Sequence, residues 1–275
     1  MSQLITIAER IKVITNIQKT THAMQLISMS ALSRIGSKKK ALEAYTRQLE
    51  ALSEELGLTR TSNTPLQGLR KIYLIMGSQK GFCGGFNNTL FTFIKELRKK
   101  DSGTFSCIPL GPYAYDFCKE QKMNLLTDKI TYSLMTISEK TNLIFNEIMA
   151  LKDSFDTISV ISNYSASIFL QRPHETILPL SYSFSSNKAL QTSEYTLEQP
   201  VEEIIDYVSK LTLKTQIFQL LLESLRAENG ARALSMDNST RNAKNLLSEM
   251  KLIYNKLRQA KVTKELTELS SSLLD

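Results

Sequence analysis

Apolar residues open the chain at Leu4, Ile7, Ile11 and Ile14, alternately three and four apart, which is the seam of one helix wound against another. Continuing that register puts Gln18, Thr21, Gln25 and Ser28 on the seam before Leu32 and Ile35 restore its apolar character. Ile17, Met24, Ile27 and Ala31 form a second stripe, rotated away from the first. The middle of this helix therefore has two faces, one suited to a partner helix and one to something outside the chain. The signature returns near the far end, where Ala243, Leu246, Met250, Ile253, Leu257 and Ala260 fall on six successive seam positions. Ile204, Val208 and Leu211 begin that helix just after Pro200.

All six prolines lie between Pro65 and Pro200, so both ends are free of the residue that most strongly breaks helices. At 1.5 Å per residue, a helix of about 70 residues reaches about 100 Å, further than a compact domain of this chain length is wide. Such a helix cannot bury its stripe alone, so the two ends are expected to pair. Gly230 costs the second helix about 1 kcal/mol relative to alanine, which pairing can offset.

The middle changes period. After a polar stretch at Thr59–Asn63, the run Lys71–Met76 reads as a strand closed by Gly77, and further strands are predicted at Phe105–Leu110, Thr157–Ser162, Ala166–Leu170 and Thr176–Tyr182. Helical periodicity falls at Asn87–Lys100, Tyr113–Gln121 and Ser138–Asp153, and Ser183–Gln199 reads as an exposed loop or edge hairpin. Strand and helix alternate, which predicts a mostly parallel, Rossmann-like sheet covered by helices. The expected fold is α/β: a long antiparallel coiled coil of N- and C-terminal helices with an inserted Rossmann-like α/β domain. The expected divisions are residues 1–58, 59–199 and 200–275.

An apolar content of 42% supports a real core and argues against disorder. The charge balance is 34 Lys and Arg against 27 Asp and Glu, with the excess in the first hundred residues. That bias admits a scaffold binding nucleic acid, but most such charge is an ordinary solvated helix face, and Lys38-Lys39-Lys40 is too short a run to change that reading. Cys83, Cys107 and Cys118 lack CxxC spacing, and His22 and His174 are far apart, so a zinc site or a disulfide framework is not expected. No apolar run approaches a membrane span, and no signal-type block opens the chain.

The sharpest local pattern is Gly77-Ser-Gln-Lys80-Gly81-Phe-Cys83-Gly84-Gly85, between a predicted strand and a predicted helix, where phosphate-binding loops occur. It matches neither GxGxxG nor GxxxxGK[ST], because Lys80 precedes the final glycines. A nucleotide-binding reading stays open beside a tight structural turn in which Gly81, Cys83, Gly84 and Gly85 give the backbone room. Cys83 has no His or Asp partner close in sequence, and the pairs Glu54-Glu55 and Glu202-Glu203 read as solvated faces. No catalytic constellation emerges.

Three segments together resemble one family. Arg10–Met24 (RIKVITNIQKTTHAM), Lys80-Gly-Phe-Cys-Gly84 and Met236–Asn245 (MDNSTRNAKN), with Leu252–Ala260 running into Val262–Glu268, are similar to the gamma subunit of the rotary ATP synthase, nearly throughout and in family order. The resemblance implies a non-catalytic central rotor shaft without cofactor or metal, its two terminal helices entering the ring of alpha and beta subunits. The insert would lie against the epsilon subunit and the c-ring. It carries the beta-subunit contact region onto Met24, Arg232, Arg258, Gln259, Thr263 and Glu268. It implies no nucleic-acid partner, and membrane association only through the complex, at the cytoplasmic face of a bacterial inner membrane. Two departures stand out. Gln79-Lys80 and Phe82 replace the Asp-Arg and Leu usual in the family's turn, and Ser272-Leu273 replaces Gly-Ala near the end.

Overall fold

A computed structural model describes residues 2–55, 58–60, 70–100, 106–151, 154–155, 157–167, 170–178, 182–184 and 200–272. The elements run α1 (Ser2–Glu55), β1 (Leu58–Arg60), β2 (Lys71–Met76), α2 (Phe86–Lys100), β3 (Ser106–Leu110) and α3 (Pro112–Glu120). They continue with β4 (Asn124–Leu125), α4 (Ile137–Ala150), β5 (Thr157–Ser167), β6 (Leu170–Leu178), β7 (Tyr182–Phe184) and α5 (Val201–Ser272). α1 and α5 are single helices of 54 and 72 residues, as the proline-free ends require. By packing, the chain divides into two compact units, one of residues 1–29 and 233–275 and the other of residues 30–232, and both cuts fall inside a long helix.

In the first unit, Thr21 meets Thr240 and Gln25 meets Asp237 across the two helices. Numbers rise along α1 as they fall along α5, so the pair is antiparallel. The seam on α1 follows the sequence register: Leu4, Ile7, Ile11, Ile14, Gln18, Thr21 and Gln25 are half-buried, and Ser28 is buried. On α5 the register differs from expectation. Ala243, Met250 and Leu257 lie on the covered side, but the intervening seam positions are Leu247 and Tyr254, while Leu246, Ile253 and Ala260 are exposed. The apolar pairs Leu246-Leu247 and Ile253-Tyr254 allow either register from sequence alone.

In the second unit, a five-stranded sheet has the order β4-β3-β2-β5-β6; β2 is central, and only β5 and β6 are antiparallel. Side chains alternate across β2. Ile72, Leu74 and Met76 join Ile108, Val160, α4 (Ile144, Ile148), Ile35 of α1 and Ile217 and Leu221 of α5 in one core. Tyr73 and Ile75 pack on the other face with Leu90 and Ile94 of α2 and Phe117 and Cys118 of α3. Burial on both faces explains why β2 reads as a continuous apolar run. Ile35 is 1% exposed, so α1 takes part in this core; Ile35→Ala is expected to cost about 2–5 kcal/mol in denaturant unfolding.

The strand expected at Ala166–Leu170 is not a separate one: β5 runs on to Ser167 and β6 covers Leu170–Leu178, forming a long hairpin with a register shift between Ser165 and Ser167. Of the strand expected at Thr176–Tyr182, Thr176–Leu178 belong to β6, Tyr182 opens β7, and residues 179–181 lie outside the described residues. β1 begins before the expected polar stretch and pairs with β7, more than a hundred residues away. Most of the stretch expected as an exposed loop at Ser183–Gln199 lies outside the described residues, as do Phe105, Asp153 and Leu273.

Candidate functional site

β2 delivers the chain to the carboxyl edge of the sheet at Gly77, whose N–H donates to Leu110 O at 2.9 Å. The next residues turn sharply into α2. The Ser78 N–H donates to Asn87 Oδ1 at 3.1 Å, and Asn87 Nδ2 returns a bond to Ser78 Oγ at 2.8 Å, tying the start of the turn to the first turn of α2. Phe82 (φ 62°) and Gly84 (φ 58°) adopt left-handed backbone, a conformation that costs a bulky residue such as phenylalanine energy, so the surroundings must enforce it.

Two side chains of α5 supply that enforcement. Glu228 and Arg232 stand one helical turn apart on the same face. The Glu228 carboxylate accepts the N–H of Gln79 at 2.8 Å and of Lys80 at 3.1 Å. Arg232 donates from Nε to Gly81 O at 3.0 Å, from Nη2 to Lys80 O at 3.3 Å and from Nη1 to Asn229 Oδ1 at 3.1 Å, and its Nη2 also bonds Glu228. The carboxylate thus takes the turn's donors and the guanidinium takes its acceptors. Both side chains are almost wholly buried, which makes these charge-assisted bonds strong and any orphaned member costly.

Backbone amides between a strand and a helix are the groups a phosphate would use. Here an internal carboxylate holds those of Gln79 and Lys80 and Asn87 holds that of Ser78, so the first half of the turn is built for anchoring and its amides are not available to a phosphate. Cys83 packs with Phe86, Ala227 and Ala231, and burial pushes its thiol pKa up. Alkylation of Cys83 by iodoacetamide at pH 8 should accordingly be slower than that of a free cysteine by more than about tenfold, and should reach the free rate on unfolding.

A second surface lies on the helical pair of the first unit. On α1, Ile17, Leu26 and Ile27 are exposed, the last at 65%; on α5, Leu252, Ile253, Val262 and Leu266 are exposed in the same way. Among them stand Arg258, Gln259, Thr263 and Glu268, all exposed, with Thr263 Oγ1 donating to Gln259 O at 3.0 Å and Glu268 3.7 Å from Lys264 Nζ. Met24 is half-buried. Each side of the pair therefore offers a different mixture of apolar and charged groups. Among the described residues, no helix is long and apolar enough to cross a membrane, and no His, Cys, Asp and Glu cluster could hold a metal.

The family model described as ATP synthase matches residues 3–273. A gamma chain of ATP synthase from Geobacter sp. (strain M21) is 31% identical, covering 98% of each chain. The chain belongs to the ATP synthase gamma family. The gamma chain of Pelagibacter ubique is 29% identical over 98% of both chains, and that of Clostridium kluyveri 28% identical over 97% of this chain and 95% of the relative. The fold is shared with a chain of the Euglena gracilis mitochondrial ATP synthase rotor (TM-score 0.70, 14% identity, 95% of this chain and 99% of that one). As a gamma-family member it is the non-catalytic stalk subunit of ATP synthase.

Of the contact residues implied for a gamma chain, Arg258, Gln259, Thr263 and Glu268 all lie exposed near the end of α5, spread over more than one face of the helix. Arg232 is placed differently. It is 7% exposed, and its guanidinium is engaged by the turn and Glu228, so it holds the insert to α5 rather than facing a partner. Gln79, where the family usually has Asp, keeps an acceptor: its Oε1 receives the Tyr132 N–H at 3.0 Å. Phe82 is 67% exposed, so the change from Leu alters the outer surface of the turn and not its core.

The turn glycines are unequal. Gly84 answers to its positive φ, and a Cβ on Gly81 would stand 2.9 Å from the Tyr113 hydroxyl, but a Cβ on Gly85 would meet nothing within 4 Å. Sequence reasoning missed Glu228, Asn87 and Gly111. The Glu228-x-x-x-Arg232 spacing on one helix face was the available signal for the first.

Proposed function

We propose that this chain is the rotor shaft of an ATP synthase, coupling rotation of a membrane c-ring to conformational change at the catalytic beta subunits. The observation that carries the reading is the antiparallel helical pair whose outward surface is uneven, with exposed apolar side chains such as Ile17, Ile27 and Leu252 interrupting charged and polar ones such as Arg258, Gln259 and Glu268. A shaft with identical faces would interact equally with three surrounding catalytic sites and could shift none of them. Unlike faces give each site a different free energy at each orientation, and differences of about 1–3 kcal/mol are enough for coupling.

In this reading Met24, Arg258, Gln259, Thr263 and Glu268 meet beta subunits, residues 1–58 and 200–275 form the limbs of the shaft, and residues 59–199 form the insert that meets epsilon and the c-ring. The Glu228–Arg232 anchor stiffens the join between insert and α5, so that torque on the insert is transmitted to the helix. The site is peripheral to the membrane, on the cytoplasmic face of a bacterial inner membrane, reached through the complex alone.

Reconstitution with purified alpha and beta subunits tests this directly: the chain should raise ATPase rate and complex stability, and equal values with and without it would sink the proposal. A finer test is Gln259→Leu. The residue is exposed, so unfolding free energy should move by no more than about 0.5 kcal/mol. Coupled ATP synthesis should fall by about two- to tenfold, the worth of one lost hydrogen bond to a partner. Proportionate losses in both would deny Gln259 a contact role.

A further inference from the structure

α5 carries two apolar stripes in the first unit, and only one of them faces α1. Leu247 is buried and Tyr254 half-buried, whereas Leu246 and Ile253, one position earlier in each case, are exposed. Neighbouring residues on a helix are about 100° apart and Ala243, Met250 and Leu257 serve both seams, so a roll of α5 by about half that angle would exchange the stripes. Hydrophobic burial hardly distinguishes the two arrangements, because each buries a leucine and a second large side chain. Something else must choose.

We propose that the polar layer of Thr21 and Gln25 on α1 with Asp237 and Thr240 on α5 selects this rotation and register, and so determines which apolar stripe the helical pair turns outward. The Thr21 and Thr240 hydroxyls lie 2.8 Å apart, and Thr240 also reaches Met236 O at 2.7 Å. Gln25 Nε2 donates to Asp237 Oδ1 at 3.0 Å, Asp237 is held in turn by Arg241 at 2.8 Å, and Gln25 Oε1 lies 3.3 Å from His22 Nδ1. These bonds are directional. Rolling α5 to bring Leu246 inward carries Asp237 and Thr240 out of reach; Thr21 falls back on Gln18 O at 3.1 Å and Thr240 on Met236 O, but the partly buried Gln25 amide loses its cross-helix acceptor, a cost the alternative stripe does not return. Polar groups at single seam positions are known to specify register at the expense of stability. Four successive polar seam positions on α1, from Gln18 to Ser28, fit that role and explain why the apolar pattern lapses there.

Paired cysteines in the full-length chain read the choice. Continuing the Thr21–Thr240 pairing by one heptad sets Ile14 level with Leu247, so Ile14→Cys with Leu247→Cys reports the observed seam and Ile14→Cys with Leu246→Cys reports the other. The three native cysteines are buried. On oxidation with diamide the first pair should close at least about tenfold faster than the second, the worth of two directed hydrogen bonds. Replacing Thr21, Gln25, Asp237 and Thr240 together by leucine should bring the two rates to within about twofold while far-UV circular dichroism shows helicity retained, whereas Asp237→Asn, which keeps an acceptor, should preserve the preference. If the four-leucine chain loses helicity, the near-isosteric pair Thr21→Val with Thr240→Val serves, with the ratio expected to drop by about threefold. An unchanged ratio in the apolar variants overturns the proposal.

Discussion

Arg232→Leu should lower the unfolding free energy by about 3–5 kcal/mol, although the residue touches neither catalytic machinery nor the exposed helical surface. The reason lies in what remains. Glu228 is 2% exposed, and without the guanidinium its charge keeps only the Gln79 and Lys80 amides, while Gly81 O and Lys80 O lose their donor. Arg232→Lys should recover only part of the loss, because a single ammonium cannot reach Glu228, Gly81 O and Lys80 O in the forked geometry of a guanidinium. Adding Glu228→Leu to Arg232→Leu removes the orphaned charge, so the double variant should be less unstable than the two single losses added together, by about 1–3 kcal/mol. Urea midpoints of the full-length chain measure all three. Cys83 supplies a local readout, since it lies in the same turn: its alkylation should accelerate in Arg232→Leu well below the urea midpoint. A cost under about 1 kcal/mol would mean that the pair does not carry the turn.

How far these features could be read from sequence depends on whether the deciding interaction is local. The α1 seam was legible even through Gln18, Thr21, Gln25 and Ser28, because the apolar residues on either side hold one register across the polar gap. The α5 seam was not, because Leu246-Leu247 and Ile253-Tyr254 present apolar residues on two adjoining faces, and hydrogen bonds to a helix more than 200 residues earlier settle the matter. β2 and its flanking helices followed from an uninterrupted apolar run and clear helical periods, whereas β1 has three residues and a partner, β7, far along the chain.

The turn shows the same division. Its position and its need for glycine were readable from Gly77–Gly85, but its chemistry was not, since a phosphate-binding loop and an anchored turn share the same free amides. The choice rests on Glu228, 149 residues from Gln79. Arg232 enters the sequence reading only because the resemblance carries a partner contact onto it, and a resemblance does not tell a buried tie from an exposed contact. Burial does.

Gly111→Ala is expected to destabilise the chain by about 2–4 kcal/mol, more than any glycine inside the Gly77–Gly85 motif except those with comparable crowding, and Gly85→Ala by no more than about 0.5 kcal/mol. Gly111 lies where β3 passes into α3, at φ 93°, a conformation that an L side chain rarely adopts. Space is lacking too: a Cβ there would stand 2.8 Å from Ser78 O and 2.8 Å from Gln79 Nε2. The glutamine could swing aside, but Ser78 O belongs to backbone that Asn87 and Glu228 hold on both sides, so relief must come from moving the turn. Moving it lengthens the bonds from Gln79 and Lys80 to Glu228, and the damage reaches the α5 anchor through the turn. The substitution should therefore also speed Cys83 alkylation, as Arg232→Leu does, while Gly85→Ala should leave it unchanged. Equal urea midpoints for Gly111→Ala and Gly85→Ala would show that the β3–α3 crossing and the anchored turn are mechanically independent.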